Sequence, residues 1–353
     1  MCAGSGGVGK TTVSAAIALE AARRGRKTIV VTIDPAKRLA NALGLKELSN
    51  KPRQIPKRKY TDAGLEPAPL HAMMLDTKRT FDELVIRYAK GPEQAERILG
   101  NRLYQAFSGA MSGTHEYMAM EKLYELDLEG TYDLIVIDTP PTRNAMDFLE
   151  APKHLTSFFE GKLLKWFLIP AIGGGKGLFR AVNFAAVQFL KVVTRVVGAE
   201  VLKDTAEFAA NFEGMYDGFK ERAQAVYDLL RQPATAFVIV TTPHDQAVEE
   251  ALFFATSLNR HRLPFGGLVV NRIHPEFGLG SGDGAVPEAT GSPVVDRLVQ
   301  LEAEFEQGRR REDRSLRRLE WEVPQDRWAR IPYLSGEVTD LPSLVGVAAR
   351  MFV

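Results

Sequence analysis

The residues with the most evident chemistry stand at the start of the sequence, in "MCAGSGGVGKTTVSAA". Gly4, Ser5, Gly6, Gly7, Val8, Gly9, Lys10 and Thr11 fit G-x-x-x-x-G-K-[S/T] at every fixed position. Such a loop suits phosphate. Glycines let the backbone turn so that successive N–H groups converge on oxygens. Lys10 adds a point charge for the β- and γ-phosphates, and the Thr11 hydroxyl can hold Mg²⁺, with Thr12 following it into the helix. Asp138 closes the apolar run "DLIVID". An acid there can hold Mg²⁺ through water, and a buried structural aspartate is the plainer alternative. Asp34 opens "DPAKRLANALGL", which is placed like a switch loop. Asn271 leaves the run "FGGLVV" and could read an adenine edge. No N-K-x-D sequence occurs, so guanine is not the expected base.

These residues need a scaffold that brings them to one edge. Residues 10–24 carry apolar positions at helical spacing directly after the loop, and a helix N-terminus favours anions. The short apolar runs 27–33, 133–137, 236–241 and 265–270 alternate with helical stretches. That pattern predicts a doubly wound, mostly parallel α/β sheet of the P-loop NTPase type. Ligands in such sheets bind beyond the carboxyl ends of strands, where Asp34, Asp138 and Asn271 fall. A P-loop hangs from a buried strand of about five residues. Only Met1, Cys2 and Ala3 precede Gly4, so a short apolar run upstream of Met1 is expected in the natural protein.

Two stretches break the alternation. Residues about 77–130 and 153–231 read as mainly helical and suggest a helical subdomain inserted into one P-loop domain spanning 1–353. The helix at 181–202 has only a narrow polar stripe, so it is either buried on most sides or binds something apolar. Met111, Met118 and Met120 could line an apolar groove or fill an ordinary core. Residues 51–60, "KPRQIPKRKY", read as a solvated basic loop. Residues 293–320 read as a charged helix with i,i+4 ion pairs.

The chain has 353 residues and a formal net charge of +1, so no general affinity for nucleic acid is implied. Cys2 is the single cysteine, which excludes an intrachain disulfide and a thiolate-rich zinc site. No apolar run reaches the roughly 18 residues of a spanning helix. No signal peptide is expected, because the sequence opens on a phosphate loop.

The loop, "TIDPAKRLANALGL", "YDLIVIDTPPTRNAMDFLEAP", "VVNRI" and the closing "RIPYLSGEVTDLPSL" together resemble the ArsA/GET family of ATPases, within the deviant Walker-A group. The resemblance runs over almost the whole chain and is similar to a bacterial branch whose loop reads G-S-G-G-V-G-K-T-T. It implies a cytoplasmic ATPase, acting in solution or at a membrane surface, with ATP and Mg²⁺ as ligands. A homodimer or a heterodimer with a paralogue is implied, and so is an apolar or membrane-protein client. By resemblance, Lys10, Thr11 and Asp138 take the phosphate and Mg²⁺ roles, Asn271 the adenine-reading role, and Pro332 and Tyr333 flank the base. Asp34 matches the aspartate beside the switch.

The departures bear on catalysis. The family's loop carries a second lysine where this chain has Ser5. Its switch aspartate, which orients the attacking water, is Asn41 here. The Gly-His of its second switch is Arg143-Asn144. The zinc cysteines of targeting members and the metalloid cysteines of the arsenite pump are absent. Arg143 is either the cation that replaces the missing lysine or a surface residue. Three readings follow: a nucleotide-driven ATPase switch for a client, a switch with negligible hydrolysis, and the energising subunit of an anion pump.

Overall fold

The computed structural model describes residues 1–34, 36–102, 104, 105, 108, 114–139, 215–275 and 292–352. In chain order the elements are β1 (Cys2–Ala3), α1 (Lys10–Arg23), β2 (Thr28–Thr32), α2 (Arg38–Ala42), β3 (Arg53–Gln54), α3 (Lys57–Asp62), β4 (Leu70–Met74), α4 (Thr77–Tyr88), α5 (Pro92–Gly100), α6 (Thr114–Glu129) and β5 (Leu134–Asp138). After these come α7 (Tyr216–Arg231), β6 (Phe237–Thr241), α8 (Asp245–Arg260), β7 (Phe265–Ile273), α9 (Pro293–Leu316), β8 (Trp328–Pro332) and α10 (Leu341–Met351).

The strands form one eight-stranded sheet in the order β3-β4-β2-β5-β1-β6-β7-β8. Only β3 runs antiparallel to its neighbour. The fold is the α/β arrangement of a P-loop NTPase. β1 is central, with Cys2 in register with Asp138 on one side and Val238 on the other. Pairing reaches Met1, whose ammonium donates to the Ala236 carbonyl at 2.6 Å and whose carbonyl accepts from Val238 N at 2.8 Å. All five residues of β2, "TIVVT", are buried, as a β-branched run covered on both faces should be.

Two glycines shape the loop after β1. Gly4 has φ +151°, and a Cβ there would stand 2.1 Å from the Val240 carbonyl oxygen. Gly9 has φ +99°, a left-handed value that any side chain resists, and immediately precedes α1. α1 then buries Ala15, Ala16, Ala18, Leu19 and Ala22. The small side chains let the helix approach the sheet closely and keep high helix propensity. α10 starts with a reciprocal cap, in which Asp340 Oδ1 accepts from Ser343 N at 2.9 Å and Asp340 N donates to Ser343 Oγ at 3.3 Å.

The basic stretch 51–60 is not a plain loop. It holds the short edge strand β3 and the start of α3, and Tyr60 is fully buried. Its charges stay outside while one aromatic anchors it, a pattern that composition alone misses. The charged helix is present as α9, with Arg309 and Arg310 both paired to Glu306.

The chain divides into two compact units, residues 1–75, 123–148 and 229–353 in one and 76–122 and 149–228 in the other. The first holds the sheet and the loop. Within the second, Tyr104 stacks on Phe81 and its hydroxyl donates to Asp82 Oδ1 at 2.6 Å. Arg222 Nε donates to the buried Glu121 carboxylate at 2.7 Å. Met118 and Met120 are buried there, while Met111, the helix at 181–202 and most of 153–231 lie outside the described residues.

Candidate nucleotide site

The carboxyl ends of β1, β2, β5, β7 and β8 deliver the candidate residues to one edge of the sheet. From β1 comes the loop, from β2 Asp34, from β5 Asp138, from β7 Asn271, and from β8 Pro332 and Tyr333. All of these but Asp138 reach a cleft of about 520 Å³, which Gly9, Lys10, Thr11, Asp34, Asn41 and Tyr333 help to line.

Behind Thr11, Asp138 is 1% exposed and accepts two hydrogen bonds on Oδ2, from Thr11 Oγ1 and Thr32 Oγ1, each 2.8 Å. Burial pushes its carboxyl up to about 6, while the two hydroxyl hydrogen bonds and the Lys10 charge pull it back down. Mg²⁺ usually takes one or two protein groups, with phosphates and water completing the shell. Thr11 and Asp138 offer that pair. Among the described residues no group of three or more His, Cys, Asp or Glu forms a metal cage. The donors present fit a metal that arrives with a nucleotide.

Lys10 is 7% exposed, and its ammonium donates to the carbonyls of Gly4 at 2.9 Å and Ser5 at 2.7 Å. Burial lowers its pKa, Asp138 opposes the shift and Arg38 adds to it. The lysine is thus folded back over its own loop, where its charge is already desolvated.

Asn271 Nδ2 donates to the Val8 carbonyl at 2.8 Å, and its Oδ1 accepts from Arg272 N at 3.0 Å. Arg272 has φ +60°, beside an irregularity in the β7–β8 register. The two bonds fix the amide orientation, since a carbonyl needs the NH₂ and an N–H needs the oxygen. The side chain braces the loop.

Asp34 Oδ1 accepts from Ala36 N at 2.9 Å, turning the chain into α2. Its Oδ2 lies 3.3 Å from Arg38 Nη1. Asn41 is exposed at the rim of the cleft. Arg143 lies outside the described residues. Thr32, Arg38 and Arg272 were not singled out by the sequence. Thr32 and Arg38 carry a usable signal, since they flank Asp34 at −2 and +4. Arg272 has none apart from its place after Asn271. Cys2 is 1% exposed, and burial pushes its thiol up, which suits an inert core residue.

A protein-family model described as "Anion-transporting ATPase" matches residues 1–280. The chain is 26% identical over 273 residues to "ATPase ASNA1 homolog 1" of Paramecium tetraurelia, covering 76% of this chain and 73% of that protein. It is 27% identical over 293 residues to "ATPase GET3C" of Arabidopsis thaliana, covering 77% of this chain and 66% of that protein. It is 25% identical over 275 residues to "ATPase ASNA1 homolog" of Dictyostelium discoideum, covering 77% and 71%. The match over most of the chain agrees with a glycine-rich G-x-x-x-x-G-K-T loop, a buried acid and an asparagine at the end of β7 gathered on one sheet edge, and the chain belongs to the ArsA family of ATPases.

Proposed function

We propose that this chain is a Mg·ATP-dependent ATPase that works as a dimer. Turnover opens and closes the subunits and so exposes or covers an apolar surface for a client such as a membrane-protein segment. The observation that carries the nucleotide reading is the Thr11–Asp138–Thr32 cluster at the foot of the phosphate loop. A buried acid tied to the hydroxyl that follows the loop lysine is what a phosphate-bound metal requires.

The roles divide along the cleft. Backbone N–H groups of Gly4 to Thr12 cradle phosphates, and Lys10 turns from its loop carbonyls to the β/γ oxygens. Thr11 and Asp138 hold Mg²⁺, which when bound neutralises phosphate charge. Asn271, Pro332 and Tyr333 border the adenine. Asp34 shapes the switch loop, and Asn41 orients water without being able to take its proton as a carboxylate would. Arg143 supplies charge to the γ-phosphate. The proposed setting is the cytoplasm, in solution or at a membrane surface. Among the described residues no helix is long and apolar enough to cross a membrane.

A second reading is a nucleotide-gated switch with negligible hydrolysis. Ser5 and Asn41 favour it, because each removes a group that phosphoryl transfer uses. The family's description as anion-transporting raises a third reading, a pump subunit, and the burial of the single thiol argues against arsenite as its cargo.

Phosphate release under saturating Mg·ATP, followed with light scattering on the same sample, tests the proposal. Sustained turnover with a dimer in ATP supports it. A nucleotide-bound protein without turnover supports the switch. A monomer both with and without ATP removes the homodimer and leaves a heterodimer with a paralogue.

A further inference from the structure

We propose that Arg38 is a further cation that binds the γ-phosphate in this chain's own site, beside Lys10 and in addition to Arg143. This rests on the ATPase reading above and assigns a residue that the family pattern does not supply. Two observations point to it. Arg38 lines the same cleft as Lys10 and Thr11. Its guanidinium is held at the cleft by Asp34, Nη1 to Oδ2 at 3.3 Å, while its side chain keeps 62% of its surface exposed.

The charge balance favours this use. Among the described residues lining the cleft, Lys10, Arg38 and Arg272 are the cations, against Asp34 and Glu337. Lys10 belongs to the loop itself, and Arg272 follows Asn271 on β7, which the proposed reading puts beside the base. Arg38 stands with Asp34 and Asn41 in the segment that follows β2 and lines the cleft. A guanidinium presents five N–H donors in a planar fork, enough to keep Asp34 and still meet two phosphate oxygens. An exposed ion pair contributes little to stability, so giving up part of it for a phosphate is cheap. Asp34 then acts as a positioning residue: it holds Arg38 at the cleft while the Arg38 side chain remains solvated.

In hydrolysis, water adds to the γ-phosphorus as the bond from that phosphorus to the ADP oxygen breaks, giving ADP, inorganic phosphate and a proton. Arg38 exchanges no atom. It stabilises the charge on the three γ-oxygens in the ground state and in the transition state.

The test is calorimetric, on the full chain with Mg²⁺ and either ADP or the non-hydrolysable triphosphate AMP-PNP. Arg38→Ala should weaken AMP-PNP by about tenfold and leave ADP within about twofold, because only one ligand has a γ-phosphate. Lys10→Ala, as control, should weaken both. Arg38→Lys keeps the charge without the fork and should recover part of the preference. Parent affinity for both ligands in Arg38→Ala, or an equal loss for both, overturns the Arg38 assignment and leaves the ATPase reading standing. A parent chain that binds neither nucleotide overturns both.

Discussion

Asn271 and Val8, 263 positions apart in sequence, are joined by a hydrogen bond of 2.8 Å from the Asn271 amide to the Val8 carbonyl. The contact is possible because the next residue is Gly9. A Cβ on Gly9 would stand 2.3 Å from Asn271 Nδ2, in a backbone conformation with φ +99°. The glycine therefore answers two demands, one from the loop and one from the end of β7.

These demands can be separated. Gly9→Ala should lower stability by at least about 1–2 kcal/mol from the left-handed backbone alone. In an Asn271→Ala background the same change should cost less, because the clash is gone. Denaturant melts of the four proteins in this double-mutant cycle measure the coupling. Strict additivity would mean that the Asn271 contact does not constrain Gly9. The parent should also bind ATP more tightly than GTP, and equal affinities would remove adenine reading from Asn271.

Lys10→Ala should weaken ATP by at least tenfold, about 1.4 kcal/mol or more. The ammonium already spends its hydrogen bonds on the Gly4 and Ser5 carbonyls, so binding exchanges these for charged phosphate oxygens. Titration calorimetry with Mg·ATP reads the loss directly, and unchanged affinity would place the lysine outside the site.

Asp138→Asn should separate stability from function. Burial pushes the Asp138 carboxyl up to about 6, so the charged form is held at a cost near neutral pH. An amide oxygen can still accept from Thr11 and Thr32. The variant without nucleotide should melt at or above the parent temperature, while the extra stabilisation that Mg·ADP gives the parent should largely vanish. A variant that melts well below the parent, yet is still stabilised by Mg·ADP, would make Asp138 a structural residue.

Arg143→Ala should lower turnover by at least about tenfold with ATP affinity nearly kept, if Arg143 acts on the transition state in its own site or across a dimer. Asn41→Asp should not lower turnover, since it restores a carboxylate beside the attacking water. Single-turnover kinetics on the two variants decide both points. Parent-rate hydrolysis by Arg143→Ala would leave that arginine a surface residue.

Much of the site was legible because its parts are contiguous. The loop from Gly4 to Thr12 is a local device: its glycines, lysine and hydroxyl are demanded by phosphate geometry within one turn and the start of one helix. Asp34, Asp138 and Asn271 were legible for a related reason, since each ends or leaves an apolar run and parallel sheets put strand ends together. The strands β2, β5, β6 and β7 announced themselves through short β-branched runs, whereas β4, "LHAMM", has no such run, and the edge strand β3 lies within charged residues. Register was not legible. Thr32 clamps Asp138 because β2 and β5 pair with Thr32 directly opposite Asp138, and a slip of one residue would turn the hydroxyl to the other face of the sheet. The brace from Asn271 to Val8 and the double demand on Gly9 also belong to the tertiary structure. Local sequence decides which groups can do chemistry; packing of strands far apart in the chain decides which of them meet.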